Sequence, residues 1–329
     1  MHIPDNYLSP QTCAVMTAAM VPAWTLSIRK VKKELSKEQI PMMGVGAAFS
    51  FLGMMFNVPL PGGTTGHAVG GTLIACLLGP WAACISVSIA LLLQALLFGD
   101  GGILSFGANC FNMAFVLPFV GYACTQAFMK LSKAETNHGK ALCAAFGSYI
   151  GINAAALCAA IEFGIQPALF HDAAGNALYC PYGLSVSIPA MMAGHLTLFG
   201  LAEALFTGLI YAFVLRTSPN AGFLSEKTGK TSTPVRILMA ALILAVPLGL
   251  LAEGTAWGEW GTDEIAATGA GYTPAGMANG FSFNALLPDY SVHGLPDAVG
   301  YILSAVIGAA ILIIVFKLIS AGKKEGSPA

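Results

Sequence analysis

The residues with the most chemical potential stand at the start of the chain, MHIPDNYLSP, and in a glycine-rich string further on, PGGTTGH. A histidine in the second position behind a free amine offers one cation three nitrogens: the Met1 amine, the His2 amide nitrogen after proton loss, and the imidazole Nδ1. Amine and amide close a five-membered chelate ring, amide and imidazole a six-membered one, and both rings are nearly planar. A fourth nitrogen completes a square, an arrangement suited to Ni(II) or Cu(II), with Co(II) also possible. His67, at the end of GGTTGH, is a candidate for that place. Taken alone, its simpler reading is a polar residue satisfied by loop carbonyls. The glycines Gly62, Gly63 and Gly66 leave room for the backbone to approach closely.

Other groups carry less. His195 and Glu203 read either as partners standing behind the ligands or as plain interhelical hydrogen bonds, the structural reading being the simpler. Asn109 and Asn112, in GANCFNM, have the character of packing and capping residues. The pairs Ala14/Ala18 and Ala19/Ala23 give a small-xxx-small series that suits close helix contact, within a bundle or with a partner subunit.

Several reactions are excluded by what is missing. The string nearest to a phosphate-binding loop, PGGTTGHAV, has His67 where the lysine is required, so the chain does not hydrolyse ATP by that route. HExxH and GxSxG are absent, and no span carries the regular acids of a proton-driven pump, although Glu162 and Glu203 sit in or near spans. No nucleophile stands beside a base, so an enzyme is not expected. With a net charge of −1, neither nucleic acid nor an acidic substrate is an expected partner.

The elements that must position these residues follow from composition. Hydrophobic residues make up 56% of the 329 and charged residues 9%, against about 25% charged in soluble domains. Too few charges remain to cover a soluble surface, and apolar runs recur at bilayer-crossing length. The reading is an all-α integral membrane protein with a seven-span core bundle and about two further spans. The expected spans are about Tyr7–Ile28, Pro41–Asn57, two divided at Gly79-Pro80 within Ala68–Phe98, one ending near Lys130, then Ala141–Phe163, Ser185–Leu215, Ile237–Leu251 and Ala298–Phe316.

Arg29, Lys30, Lys32, Lys33 and Lys37 follow the first span and should stay inside, which places the N-terminus outside and the C-terminus inside a multi-pass cell membrane. Each later basic cluster then falls on the inner side. The start lacks the charged region of a secretory signal, so cleavage is not expected. The chain divides into a metal-capturing core over 1–216, a cytoplasmic linker over 217–236 and a two-span accessory module over 237–329. The eight cysteines contain no CxxC pair and read as small packing residues, with Cys180 the one facing an oxidising exterior.

These strings, together with GTLIACLLGPWAA, LLLQALLFGDGGILSFGANCFNMAFVLPFVGY and HLTLFGLAEALFTGLIYAF, resemble the CbiM/NikM family, the membrane-embedded substrate-capture subunits of energy-coupling-factor cobalt and nickel importers. The resemblance covers nearly all of the first 216 residues. It implies that Met1, His2 and His67 bind the metal through four nitrogens, and that the loop Pro61–Gly66, including Thr64 and Thr65, closes the site with Asn109 at its border. It implies Ni2+ or Co2+ as transported ligand with no organic cofactor. The implied partners are the lipid bilayer, a transmembrane coupling subunit and ABC ATPase subunits. The last part of the chain resembles a two-span module that some members carry fused, with its acidic, glycine-rich motif blurred to GLPDAVG. A stand-alone channel or secondary carrier for a metal or small solute is the rival class, and a structural membrane subunit without ligand a further one. Nickel and cobalt are not separable from these residues, since both accept nitrogen ligands.

Overall fold

The computed structural model describes residues 1–60, 63–218 and 231–322. Nine main helices lie among the described residues, one for each expected apolar segment. The first, α1 (Pro10–Glu34), starts where Ser9 Oγ accepts from Thr12 N at 3.0 Å and Pro10 takes a position that needs no amide donor. It ends in Lys32 and Lys33. Then follow α2 (Ile40–Met54), α3 (Gly71–Leu78), α4 (Pro80–Phe98), α5 (Phe106–Ser132) and α6 (Asn137–Gly164). The last three are α7 (Leu184–Thr217), α8 (Thr233–Leu251) and α9 (Asp297–Gly322).

Six of these are long and apolar enough to cross a membrane: α4, α5, α6 with the short turn after it, α7, α8 and α9. The expected break at Gly79-Pro80 is present, with Gly79 at φ +86 capping α3 and proline opening α4. The piece before it is shorter than a span, at eight residues. The chain ahead of it is used differently, in a hairpin of β1 (Val58–Leu60) and β2 (Thr64–Gly66), antiparallel with Val58 opposite Gly66. An all-α reading misses this hairpin. Its apolar run continues into a helix, and period alone does not separate a three-residue strand from the start of a span.

Small residues set the packing. A side chain at Gly147 or Gly151 would meet the α5 backbone at Gly121 or Leu117, so α5 and α6 approach through their glycines. The C-terminal α9 lies along α2, with Gly44 facing Phe316 and Gly308 under the Phe51 ring. The outward faces remain apolar: Phe146 is 63%, Leu209 67% and Leu244 70% exposed. Leucines this exposed along several helices are what lipid contact produces and what an aqueous surface avoids.

The helices lose regularity towards one end of the bundle. Gln94–Phe98 in α4, Cys110–Val116 in α5 and His195–Phe199 in α7 are widened turns, a feature that recurs at functional sites. Thr197 leaves helical backbone altogether, and the Tyr149 hydroxyl donates to the Leu196 carbonyl there at 2.7 Å. The N-terminal segment and the long stretch between α8 and α9 meet at this end. The lysines of α1 and the contact from Ser320 Oγ to the Lys37 carbonyl at 2.8 Å mark the other.

Candidate metal centre

Residues ahead of α1 form no regular element, yet they are buried: Ile3, Tyr7 and Leu8 are at most 1% exposed. Buried irregular backbone needs partners for each amide and carbonyl. Asn109, in the first turn of α5, supplies two of them. Its Oδ1 accepts from Ile3 N at 2.7 Å and its Nδ2 donates to the Ile3 carbonyl at 3.0 Å. The same carbonyl accepts from Gly102 N at 2.8 Å and from the Ser105 hydroxyl. Asp5 turns back to accept from Ile103 N and Leu104 N at 3.1 and 2.7 Å. Further along, Gln166 Oε1 accepts from Ser9 N at 3.0 Å, and Cys180 N donates to the Tyr7 carbonyl at 3.0 Å. The first nine residues are thus stitched into the bundle, and Met1 and His2 end up 5% and 2% exposed.

His67 approaches from the strand side. It follows β2 directly, and the next two amides are fixed by a carboxylate: Glu203 of α7 accepts from Val69 N at 2.7 Å and Gly70 N at 2.9 Å. Gly70 needs the left-handed backbone found there, φ +71, and the Phe206 ring leaves no room for a side chain. The His67 Nδ1 stands 3.2 Å from the Ala68 carbonyl, a contact that requires the proton on Nδ1 and leaves Nε2 with its lone pair. Nε2 faces His2 Nδ1 at 3.2 Å, with ring centroids 4.9 Å apart. Two nitrogens held at a right angle about one ion, each about 2 Å away, stand about 2.8 Å apart. The observed spacing is a few tenths of an ångström wider than that edge.

Two acids complete the cluster. Asp100 Oδ1 lies 3.0 Å from His2 Nδ1, and the Met1 ammonium donates to Glu259 Oε1 at 2.7 Å. Asp100 Oδ2 accepts from Gln94 Nε2 at 3.0 Å and from the Tyr290 hydroxyl. Gly101, at φ +82, must be glycine, since a side chain would press on both His2 and Asn109. A cavity of about 400 Å³ opens beside these groups, lined by His2, His67, Asp100, Glu259, Tyr290 and Tyr301 among others. His2 Nε2 is buried with no hydrogen-bond partner among the described residues.

The electrostatics favour open lone pairs. Burial, the N-terminal charge and His2 together push His67 well below the ordinary histidine range, so its ring is neutral. Burial by itself would raise Asp100, but the charge and hydrogen bond of His2, with His67 and the Tyr290 hydroxyl, hold its carboxyl well below the usual range. Tyr290 is raised by burial and by Asp100, and remains a donor. No group of three or more His, Cys, Asp or Glu side chains with metal-holding geometry occurs among the described residues. A cation here would depend on main-chain nitrogens beside the two imidazoles.

The remaining expected residues separate clearly. Thr65 lines the cavity and donates to the Val58 carbonyl at 3.2 Å, while Thr64 Oγ1 accepts from Trp257 N at 2.8 Å. Gly66 lies under the Phe199 ring and Gly63 against Gly254. Gly62 and Pro61 fall outside the described residues. Asn112 is not at the centre; its Nδ2 donates to Glu162 Oε2 at 2.8 Å between α5 and α6. His195 donates from Nδ1 to the Met191 carbonyl at 2.8 Å and packs its ring on Phe199. Glu203 serves the backbone behind His67. Cys180 is buried, and all eight cysteines are free thiols. Asp100, Glu259 and Tyr290 were not expected. The available signal was an acid between glycines in FGDGG and the acids of the segment before α9, both on the side assigned to the N-terminus.

Two family models and several known proteins match this chain. A family model described as the cobalt uptake substrate-specific transmembrane region matches residues 2–221, and one for the PDGLE domain matches 233–324. The chain is 51% identical to a probable fused nickel transport protein of Lactiplantibacillus plantarum, covering 96% of this chain and 97% of the relative. It is 47% identical to a fused nickel transport protein of Rhodobacter capsulatus, with 95% of each covered. A crystal structure of a truncated transition metal transporter superposes with a TM-score of 0.62 at 59% identity, over 66% of this chain and 99% of that one.

Proposed function

Because the chain belongs to the CbiM family of cobalt uptake substrate-specific transmembrane proteins and carries a PDGLE domain behind that region, we propose that this nickel or cobalt transport protein captures its cation at the buried N-terminus. The ligands are the Met1 amine, the His2 amide nitrogen, His2 Nδ1 and His67 Nε2. The observation that carries the reading is the convergence of His2 Nδ1 and His67 Nε2 at 3.2 Å in a buried pocket that also holds the Met1 amine. In the metal-free arrangement a hydrogen on His2 Nδ1 is shared with His67 Nε2 and Asp100 Oδ1. The cation takes the place of that hydrogen on Nδ1, so the bound imidazole carries its hydrogen on Nε2. Rigid hydrogen bonding of Ile3 to Asn109 keeps the His2 amide in place while this happens.

The two nearby carboxylates offset charge. A dication chelated by one deprotonated amide leaves a net positive charge of one at the centre, which Asp100 and Glu259 face. The basic residues at the opposite end of the bundle support an orientation with the centre outside. Membership of this family supports an inward step driven by ATP hydrolysed on separate ATPase subunits through a transmembrane coupling subunit, the chain itself having no nucleotide-binding loop.

His2→Ala removes the imidazole that closes the six-membered ring and faces His67. Purified protein carrying this substitution should bind Ni2+ or Co2+ far more weakly than the unmodified chain in equilibrium dialysis, and equal binding overturns the capture reading. Uptake into liposomes by the chain alone, with no ATPase present, would favour a stand-alone carrier.

A further inference from the structure

The partner of the Met1 amine comes from 258 residues away, in the segment between α8 and α9. Glu259 is placed there by more than its own ion pair. Trp257 N is bonded to Thr64 Oγ1 at 2.8 Å, so this segment is tied to the strand that leads into His67. A side chain at Gly254 would strike the Gly63 carbonyl, which shows how closely the two loops run. Trp257 packs edge-on against Phe163 and beside Tyr182, and Trp260 packs against Trp257 with ring centroids 5.7 Å apart. The same stretch supplies Tyr290, which donates to Asp100. Both acids of the centre therefore depend on the C-terminal part of the chain.

An ammonium must lose a proton to bind a cation, and the coordinated amine keeps two N–H bonds. One of them can go on donating along the line that the ion pair occupies now. We propose that Glu259 is a positioning residue of the capture site: it holds the Met1 nitrogen toward His2 and His67 before the cation arrives and accepts from the coordinated amine afterwards. The C-terminal module then completes the site instead of merely lying beside it. This rests on the capture reading above. Carboxylates that orient a metal ligand from behind typically contribute ten- to a hundredfold in affinity, and their geometry is a carboxylate oxygen at hydrogen-bond distance from the ligand, as here.

The test uses the full chain in detergent with Ni2+ as probe. Glu259→Ala should weaken binding about 10- to 100-fold, with the Ni2+ absorption band unmoved because the four nitrogens are intact. Glu259→Gln keeps the size and the loop packing but not the charge, and should also weaken binding at least several-fold. In the metal-free protein, acylation of the Met1 amine by an activated ester, read by peptide mass, should speed up in Glu259→Ala once its ion pair is gone. Unchanged affinity and labelling in Glu259→Ala overturns the proposal. So does wild-type behaviour of Glu259→Gln beside a defective alanine variant, since the loop and not the carboxylate would then matter. His2→Ala runs alongside. If it binds like wild type, the capture reading fails and the proposal with it; if it loses binding while Glu259→Ala does not, only the role of Glu259 fails.

Discussion

His67 and His195 are both buried and both lie near the irregular end of the bundle, with Glu203 on the same helix as His195. Their surroundings nevertheless spend the lone pairs differently. His195 gives Nδ1 to the Met191 carbonyl one turn back and rests its ring edge-on against Phe199. The acid eight positions on, Glu203, has both oxygens taken by the Val69 and Gly70 amides and by Thr207. His67 gives Nδ1 to Ala68 in the same manner, but its Nε2 meets a second imidazole, and Asp100 turns an oxygen to that imidazole too. Burial makes a scaffold where polar groups are spent on nearby backbone, as His195 Nδ1 and Glu203 are. It makes the ligand set proposed here when lone pairs from distant parts of the chain point at one another.

The largest expected effect tests the ligand side of that contrast. His67→Ala removes one of the four proposed nitrogens, and the Ni2+ affinity should fall about 100-fold or more, given that multi-ligand sites gather several kcal/mol per donor. Isothermal titration of the purified protein checks it, and a loss below tenfold returns His67 to the scaffold class. The pH dependence sharpens the point. Metal capture displaces protons from the Met1 ammonium and the His2 amide, so affinity should fall as pH falls. His67 is already neutral in the neutral range, because burial and the N-terminal charge keep its ring below the ordinary histidine value. The slope of log affinity against pH should therefore be the same in His67→Ala as in wild type, although the affinity itself is lower. For the metal-free protein the sign is opposite to that of a paired histidine. Below about pH 6.5 the unfolded chain gains a proton that folded His67 refuses, so folding weakens with acid and His67→Gln should weaken less.

Asp100→Asn comes next. It keeps the shape but removes the charge facing His2, and Ni2+ affinity should drop roughly tenfold, in the range for groups that orient ligands. The same substitution leaves the Tyr290 hydroxyl with an amide as its partner, so a thermal-shift measurement should move less than the binding curve. An affinity within twofold of wild type would leave Asp100 a structural residue of the Gln94–Tyr290 network.

How much of this could be read in the amino acids depends on the range of the interaction. The apolar runs located all nine helices, and Gly79-Pro80 marked a break that φ +86 at Gly79 explains. His2 was legible because its chelate closes within two residues, and His67 because glycines and a histidine sit together on the same side. Asp100 and Glu259 were not. Their partners lie 98 and 258 positions away, from loops with no period to read, and an acid among glycines signals only a turn until the fold closes. By residue type Asn109 reads as a packing or capping residue, and only the family resemblance sets it at the border of the site; its service to Ile3 needed the N-terminal segment buried, which no pattern in MHIPDNYLSP announces.

The scaffold side of the contrast gives the smaller effects. Glu203→Ala leaves two buried amides without acceptors, costing about 2–3 kcal/mol or more of stability, and it frees the strand end that carries His67. Binding should weaken by a few-fold, and Glu203→Gln should recover part of both.

His195→Ala is the weakest expected change and the most telling control. It removes one hydrogen bond to a helix carbonyl and one ring contact with Phe199, for which about 1 kcal/mol is a reasonable sum. Ni2+ affinity should stay within about twofold of wild type, since its Nδ1 is spent on the Met191 carbonyl and it does not line the cavity. Phe199 is the route by which that expectation could break, because its ring also covers Gly66, next to His67. If His195→Ala weakened Ni2+ binding tenfold while His195→Gln did not, the ring would be acting by pressing Phe199 onto the strand end. The line between scaffold and ligand would then run through packing as well as through lone pairs.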